Sequence, residues 1–154
     1  MPVPPLASRR QTYSRALRLR PESLKVFICD DDLDFATELA SALTTCGFET
    51  RTLLDGKTPI EIFELFAPDI VLLDLYMPPP DGFEMMNHIV QNVSHRNISL
   101  AIMSGGDAGV LETADRFCAA RGIVASAVLQ KPIYLGEVLQ VCNAHRRRRI
   151  GETE

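Results

Sequence analysis

Asp74 closes the apolar run Ile70-Val71-Leu72-Leu73, and Leu75-Tyr76-Met77 and three prolines follow it. A strand buried on both faces can present a carboxylate only at its end, so this acid is the first candidate for a reactive group. Three other strand-like runs end in chemistry as well. Lys25 to Cys29 leads into Asp30-Asp31-Asp32, Leu100 to Met103 into Ser104, and Ala127 to Gln130 into Lys131. If these runs lie side by side, the acids Asp30, Asp31 and Asp74, a hydroxyl and an amine meet in one pocket. Like charges about 4 Å apart repel by about 4 kcal/mol at an effective dielectric near 20, so such a cluster calls for a cation. Magnesium (Mg2+) suits an all-oxygen site of one or two carboxylates, and it completes its shell with water and phosphate oxygens. With Lys131 and Ser104 beside it, the cluster is suited to a phosphoryl group, and one carboxylate can serve as the nucleophile through an aspartyl phosphate. Asp74, alone on its strand and facing the acidic pair, is the candidate for that role.

Five strands alternating with five helices would position these groups. The first helix follows Asp32 with Phe35, Leu39, Leu43 and Cys46 on one face and Gly47 as its stop. A short exterior strand over Phe48 to Leu54 comes next, then an Asp55-Gly56 turn. Thr58-Pro59-Ile60-Glu61 reads as a capping box with proline at the first helical position, and Ile62, Phe63 and Phe66 go to the core. After Asp81-Gly82 a third helix carries Phe83, Met86, Val90 and Val93. Asp107 caps a fourth that runs through Ala120, and Ile133 to Cys142 forms the last, running out into Arg146 to Arg149. Alternation of this kind implies an α/β fold with a parallel sheet, helices on both faces and right-handed crossovers. The flavodoxin-like (βα)5 doubly wound sheet, strand order 2-1-3-4-5, brings the ends of strands 1 and 3 together, where such sheets bind ligands.

Length and composition fit one domain. No run approaches the roughly 20 consecutive apolar residues of a membrane span, and the amino terminus lacks the apolar segment of a secretory signal, so a cytoplasmic protein with no membrane partner is expected. Cys29, Cys46, Cys118 and Cys142 show no C-x-x-C spacing and read as buried reduced thiols. Charge divides the chain. Residues 1–25 carry a net +5 and residues 145–154 a net +2, whereas residues 26–144 hold 17 acids against six bases. The expected organisation is a basic, disordered arm over 1–23, a folded domain over 24–144 and a basic tail over 145–154. A body this acidic does not hold a phosphate backbone, so nucleic acid is not an expected partner. Gly56-Lys57-Thr58 resembles the end of a P-loop, but Arg51 stands where that motif needs glycine. His88 and His95 have no second ligand at metal spacing.

Taken together, Cys29-Asp30-Asp31-Asp32, Leu73-Asp74 with Met77-Pro78 and Asp81-Gly82, Ile102-Met103-Ser104-Gly105, and Lys131-Pro132 resemble the receiver domain of response regulators in two-component phosphorelays, over about residues 24–144. The resemblance implies that Asp74 is the phosphoacceptor, phosphorylated from a sensor histidine kinase or a histidine phosphotransfer protein, or from a small phosphodonor. It implies that Asp31 and Asp74 ligate magnesium directly with the Tyr76 backbone carbonyl, that Asp30 acts mainly through water, and that Ser104 and Lys131 bind the phosphoryl oxygens. It also implies a cis Lys131-Pro132 bond. The protein would catalyse only its own phosphorylation and dephosphorylation. It would signal to a downstream protein target through its fourth and fifth helices, with a homodimer left open.

Three departures from the family pattern stand out. Val128 occupies the usual position of a switch aromatic, Ser104 replaces the commoner threonine, and the stretch from Ser104 to Lys131 is several residues longer than usual. Elongation of that kind is met in receivers joined to cyclic-di-GMP phosphodiesterase domains, so the chain could be a fragment of a larger regulator rather than a receiver without an output domain. A haloacid-dehalogenase-like phosphatase is a further reading, through Asp30-x-Asp32, although Asp34 stands where that motif needs Thr or Val. A pseudo-receiver would keep the fold without the chemistry, yet all five key groups are present.

Overall fold

The computed structural model describes residues 23–53, 56–77, 82–92, 97–105, 112, 116, 119–120, 125–149 and 151. Its frame is one five-stranded parallel sheet of β1 (Lys25–Cys29), β2 (Glu49–Arg51), β3 (Ile70–Asp74), β4 (Ser99–Ser104) and β5 (Ala125–Gln130). The order is β2-β1-β3-β4-β5, as the alternation of elements implied. Register brings the functional ends level. Cys29 pairs with Leu73, Asp74 with Met103, and Ser104 with Gln130, so the residues that follow each strand emerge along one edge.

Alternate strand residues face opposite ways and build two cores. On one face Phe27, Val71, Leu73, Leu100 and Ile102 meet Ile62, Phe63 and Phe66 of α2 (Pro59–Phe66) and Met85, Met86 and Ile89 of α3 (Gly82–Asn92). On the other Val26, Ile28, Leu72, Ala101 and Met103 meet Ala36, Leu39 and Leu43 of α1 (Leu33–Thr45) and Val138 and Cys142 of α4 (Leu135–Arg149). Both faces are covered, so β3 and β4 are buried along their whole length. That is why they read as unbroken apolar runs.

Local signals behave as the sequence implied at several ends. Asp32 caps α1 by accepting the Phe35 N–H, and Gly47 takes a positive φ just past the helix. The Thr58–Glu61 capping box is formed in both directions, with Pro59 in the first turn of α2. Elsewhere the buried stripes are displaced. On α1 the core residue is Ala36, while Phe35 is only half-buried and Cys46 is exposed, so Cys46 is not the buried thiol expected. On α3 Met85 and Ile89 join Met86 in the core, and the side chain of Phe83 and residue Val93 lie outside the described residues. The expected helix over Asp107–Ala120 also lies mostly outside them, although positions 112, 116, 119 and 120 are helical.

The arginines at the end of the chain belong to a helix rather than a free tail, because α4 continues to Arg149. Arg146 lies over the Phe48 ring at 5.1 Å, and Arg148 donates to Ser99 Oγ at 2.6 Å. Buried His145 shares that hydroxyl at 2.7 Å, which ties the last turns of α4 to the start of β4. Those side-chain anchors hold a segment that composition alone marks as solvated.

Gly82 has a specific reason to be glycine. A Cβ there would collide with the Leu75 Cα and the Asp74 carbonyl oxygen, so α3 starts against the backbone that carries Asp74. Gly136, near the start of α4, faces open space. Gly82→Ala should therefore lose about 1–3 kcal/mol in urea unfolding through overpacking, whereas Gly136→Ala should be neutral or gain up to about 1 kcal/mol from helix propensity. Equal midpoints for the two variants would contradict this close approach of α3.

Candidate functional site

The four strand ends bring Asp30, Asp31, Asp74, Ser104 and Lys131 together at one edge of the sheet. Lys131 Nζ donates to Asp30 Oδ2 at 2.9 Å and to Asp74 Oδ2 at 3.4 Å. These contacts join residues 101 and 57 positions apart in the chain. One oxygen from each of Asp30, Asp31 and Asp74 falls within 4.8 Å of the others. The Asp30 side chain is fully buried and that of Asp74 is 7% exposed, whereas Asp31 is open to solvent. Ser104 is buried at the end of β4, and its carbonyl accepts the Lys131 N–H at 3.0 Å, coupling the hydroxyl-bearing and amine-bearing strands through backbone. Tyr76 is exposed, and its N–H donates to Asp74 Oδ1 at 3.1 Å. The Lys131-Pro132 bond is cis, as the resemblance implied.

The acidic triplet separates into three tasks. Asp30 turns inward to Lys131 and also accepts the Asp32 N–H through Oδ1 at 2.9 Å. Asp31 faces solvent at the rim. Asp32 caps α1, so the second acid that a haloacid-dehalogenase-type site requires is committed to a helix end instead.

One contributor was not singled out from sequence. The Phe35 ring, in the first turn of α1, lies 5.4 Å from the Lys131 ammonium. An aromatic face under a cation favours it by about 0.5–2 kcal/mol, depending on desolvation. Phe35 packs against the core, as its spacing implies, and nothing in helical periodicity shows that its ring also reaches a distant lysine.

Burial dominates the electrostatics of Asp74. It raises the carboxyl above its ordinary range, the Tyr76 N–H pulls it down, the Asp30 charge raises it again, and Lys131 lowers it, with a net upward shift. Burial opposes the charged form of Lys131 too, but hydrogen bonds and charges from Asp30 and then Asp74 outweigh it and lift the ammonium above its usual value. Cys29, directly beneath, has its thiol pushed well up by burial and by the charges of Asp30, Asp74 and Asp31, and it packs on Met77 Sδ at 3.9 Å. Three carboxylates, Asp30, Asp31 and Asp74, offer the hard oxygen donors that suit magnesium, whereas the Cys29 thiol is buried and held in its protonated form.

With this geometry in place, comparison with known proteins gives a consistent result. The family model for the response regulator receiver domain matches residues 26–143. The chain belongs to that family, the receiver domains of two-component signalling, and its fold is the flavodoxin-like one. It is 30% identical over 128 residues to the transcriptional regulatory protein QseB of Haemophilus influenzae, covering 83% of this chain and 55% of that protein. Against the transcriptional regulatory protein PrrA of Mycobacterium leprae it is 28% identical, covering 82% and 52%. The chain spans about half or less of the length of the curated relatives it matches. Among solved structures, a CheY-like receiver domain protein from Methanospirillum hungatei superposes with a TM-score of 0.70 at 18% identity, covering 86% of this chain and all of that one. The receiver domain of NtrX from Brucella abortus gives 0.63 at 25% identity, covering 78% and 96%. Among the described residues, no helix is long and apolar enough to cross a membrane.

A raised carboxyl in the folded state has a definite sign in the stability balance. The contribution of Asp74 is fully present below its unfolded pKa of about 3.9 and is lost as pH rises through the higher folded value. Without divalent cations at neutral pH, Asp74→Asn should therefore raise the thermal midpoint. The advantage should shrink at pH 4, and it should narrow when magnesium is added to the unsubstituted protein. A variant that melts at or below the unsubstituted protein at pH 7 in chelator would contradict the burial argument.

Proposed function

We propose that this receiver takes a phosphoryl group on Asp74, from the phosphohistidine of a sensor histidine kinase or a histidine phosphotransfer protein. The observation that carries the reading is the double contact of Lys131 with Asp30 and Asp74, within reach of a third carboxylate and a buried hydroxyl. Of the two Asp74 oxygens, Oδ1 is engaged by the Tyr76 N–H, while Oδ2 has the longer contact to Lys131. Oδ2 is the nucleophile. It forms the new O–P bond as the N–P bond of phosphohistidine breaks, and the departing imidazole takes up a proton. Lys131 stays anchored on Asp30 and transfers its second contact from the carboxylate to a phosphoryl oxygen. The Ser104 hydroxyl donates to another. Hydrolysis reverses the charge change, with water attacking phosphorus and inorganic phosphate leaving Asp74 as the carboxylate.

Asp31 and Asp74 would hold magnesium directly with the Tyr76 backbone carbonyl, and Asp30 through water. Bound there, it supplies positive charge to the carboxylates and to the phosphoryl oxygens. The protein thus catalyses only reactions of its own aspartate and turns over no separate substrate. Residues 24–144 act as the receiver unit, in the cytoplasm, and pass the signal by protein contacts. The Ser104 carbonyl to Lys131 N–H bond supports a readout in which β4 and β5 shift together, passing strain toward the 107–120 segment and α4. Such a readout needs no aromatic at Val128, which is 38% exposed on β5.

Incubation with acetyl phosphate and magnesium should add one phosphoryl mass to the intact protein, and the label should be lost in Asp74→Asn. Lys131→Ala should retain magnesium binding but accept the group at least about tenfold more slowly, the scale of one charge-assisted hydrogen bond. Unchanged labelling of Asp74→Asn would refute the assignment.

A further inference from the structure

A second concentration of charge lies far from the strand ends that carry Asp74. Lys25 begins β1, at the opposite end from Asp30, so the two are separated by roughly 16 Å of extended chain. Lys25, Arg51 and Lys57, from β1, β2 and the loop before α2, line one cleft of about 270 Å3. Two of the six bases in the acidic 26–144 body are therefore gathered here next to Lys25. Ile62, Leu65 and Phe66 form the apolar wall, and Leu65 is 71% exposed.

Two of the cations, Lys25 and Arg51, are held in place before any ligand arrives. Lys25 Nζ lies 5.7 Å from the Phe66 ring centroid and 3.4 Å from the Phe66 carbonyl oxygen. The Arg51 guanidinium lies 4.9 Å from the same ring and donates through one terminal nitrogen to the Thr50 carbonyl at 2.8 Å. Its other terminal nitrogen is 3.6 Å from Glu49, the one acid lining the cleft among the described residues, in a half-exposed pair that water weakens. Two cations over the ring are ample cover for Phe66. Lys57 adds nothing to that packing, and it has no ion-pair or hydrogen-bond partner among the described residues. Cations beside the exposed Leu65 side chain suit recognition of an anion with an apolar body. The volume is just below the range of small-molecule pockets.

We propose that this cleft binds a small organic phosphate, with the phosphoryl group between Lys25, Arg51 and Lys57 and the apolar body against Leu65. This site is separate from the phosphoacceptor and independent of its chemistry. The test is an amide NMR titration of the full chain at low salt without magnesium, using adenosine monophosphate and inorganic phosphate as probes. Adenosine monophosphate should produce saturable shifts at Arg51, Lys57 and Leu65 while Asp30 and Asp74 stay in place, and inorganic phosphate should bind several-fold more weakly. Arg51→Gln should weaken binding about tenfold, the scale of one charge-assisted hydrogen bond. Lys57→Gln, which disturbs no packed group, should also weaken it. Shifts confined to the Asp74 edge, or affinities unchanged in both variants, would overturn the proposal. Equal binding of the two probes would overturn the apolar half of it. Tighter binding of a glutamate-rich peptide than of adenosine monophosphate would assign the cleft to a protein partner and overturn the small-molecule reading.

Discussion

The ammonium of Lys131, held between two buried carboxylates, is the interaction on which the rest of this structure turns. Asp30 is fully enclosed and Asp74 nearly so, and burying a carboxylate is costly unless an opposite charge lies at contact distance, as Lys131 does for both. One lysine serves both and still leaves Asp74 with its carboxyl raised. The site is therefore short of positive charge by design of its geometry. A divalent cation held by the three carboxylates would supply the charge that the protein alone leaves open.

The fold exists around that requirement in a direct sense. Parallel strands covered on both faces leave their ends as the places where charged side chains can converge without crossing the core, and ligands of such sheets bind at the carboxyl ends. The register levels Cys29 with Leu73, Asp74 with Met103 and Ser104 with Gln130, so Asp30 arrives level with Asp74, Ser104 one residue further along and Lys131 one further still. Gly82 then lets α3 begin against the Asp74 carbonyl, and Asp32 starts α1 immediately beside the acidic pair. Helix starts and the reactive edge are thus parts of one construction. At the opposite end of the sheet, Ser99, His145 and Arg148 tie α4 down, and the basic cleft at Lys25 and Arg51 lies on the other face.

Much of this was legible in the sequence because parallel strands advertise themselves as continuous apolar runs and because their terminal residues are chemically unlike the runs they end. Strand order followed from the alternation of elements, and the capping box at Thr58 and the stop at Gly47 came from local chemistry that needs no tertiary context. What escaped the sequence depends on which way a side chain faces across space. Ala36 fully buried beside a half-buried Phe35, the Phe35 ring close to Lys131, and Cys46 left in solvent are all set by how α1 rotates on the sheet. Periodicity fixes such a rotation only to within about one residue. The arginine run at 146–149 looked like a tail because composition cannot show that Phe48 and Ser99 wait beneath it.

The most direct measurement of the central claim is a magnesium titration followed by amide NMR on the metal-free protein. Saturable shifts at Asp30, Asp31, Tyr76 and Lys131, abolished in Asp31→Asn, are the result expected if the strand ends form one cation-binding edge. Shifts scattered over the acidic surface, or unchanged by Asp31→Asn, would contradict it.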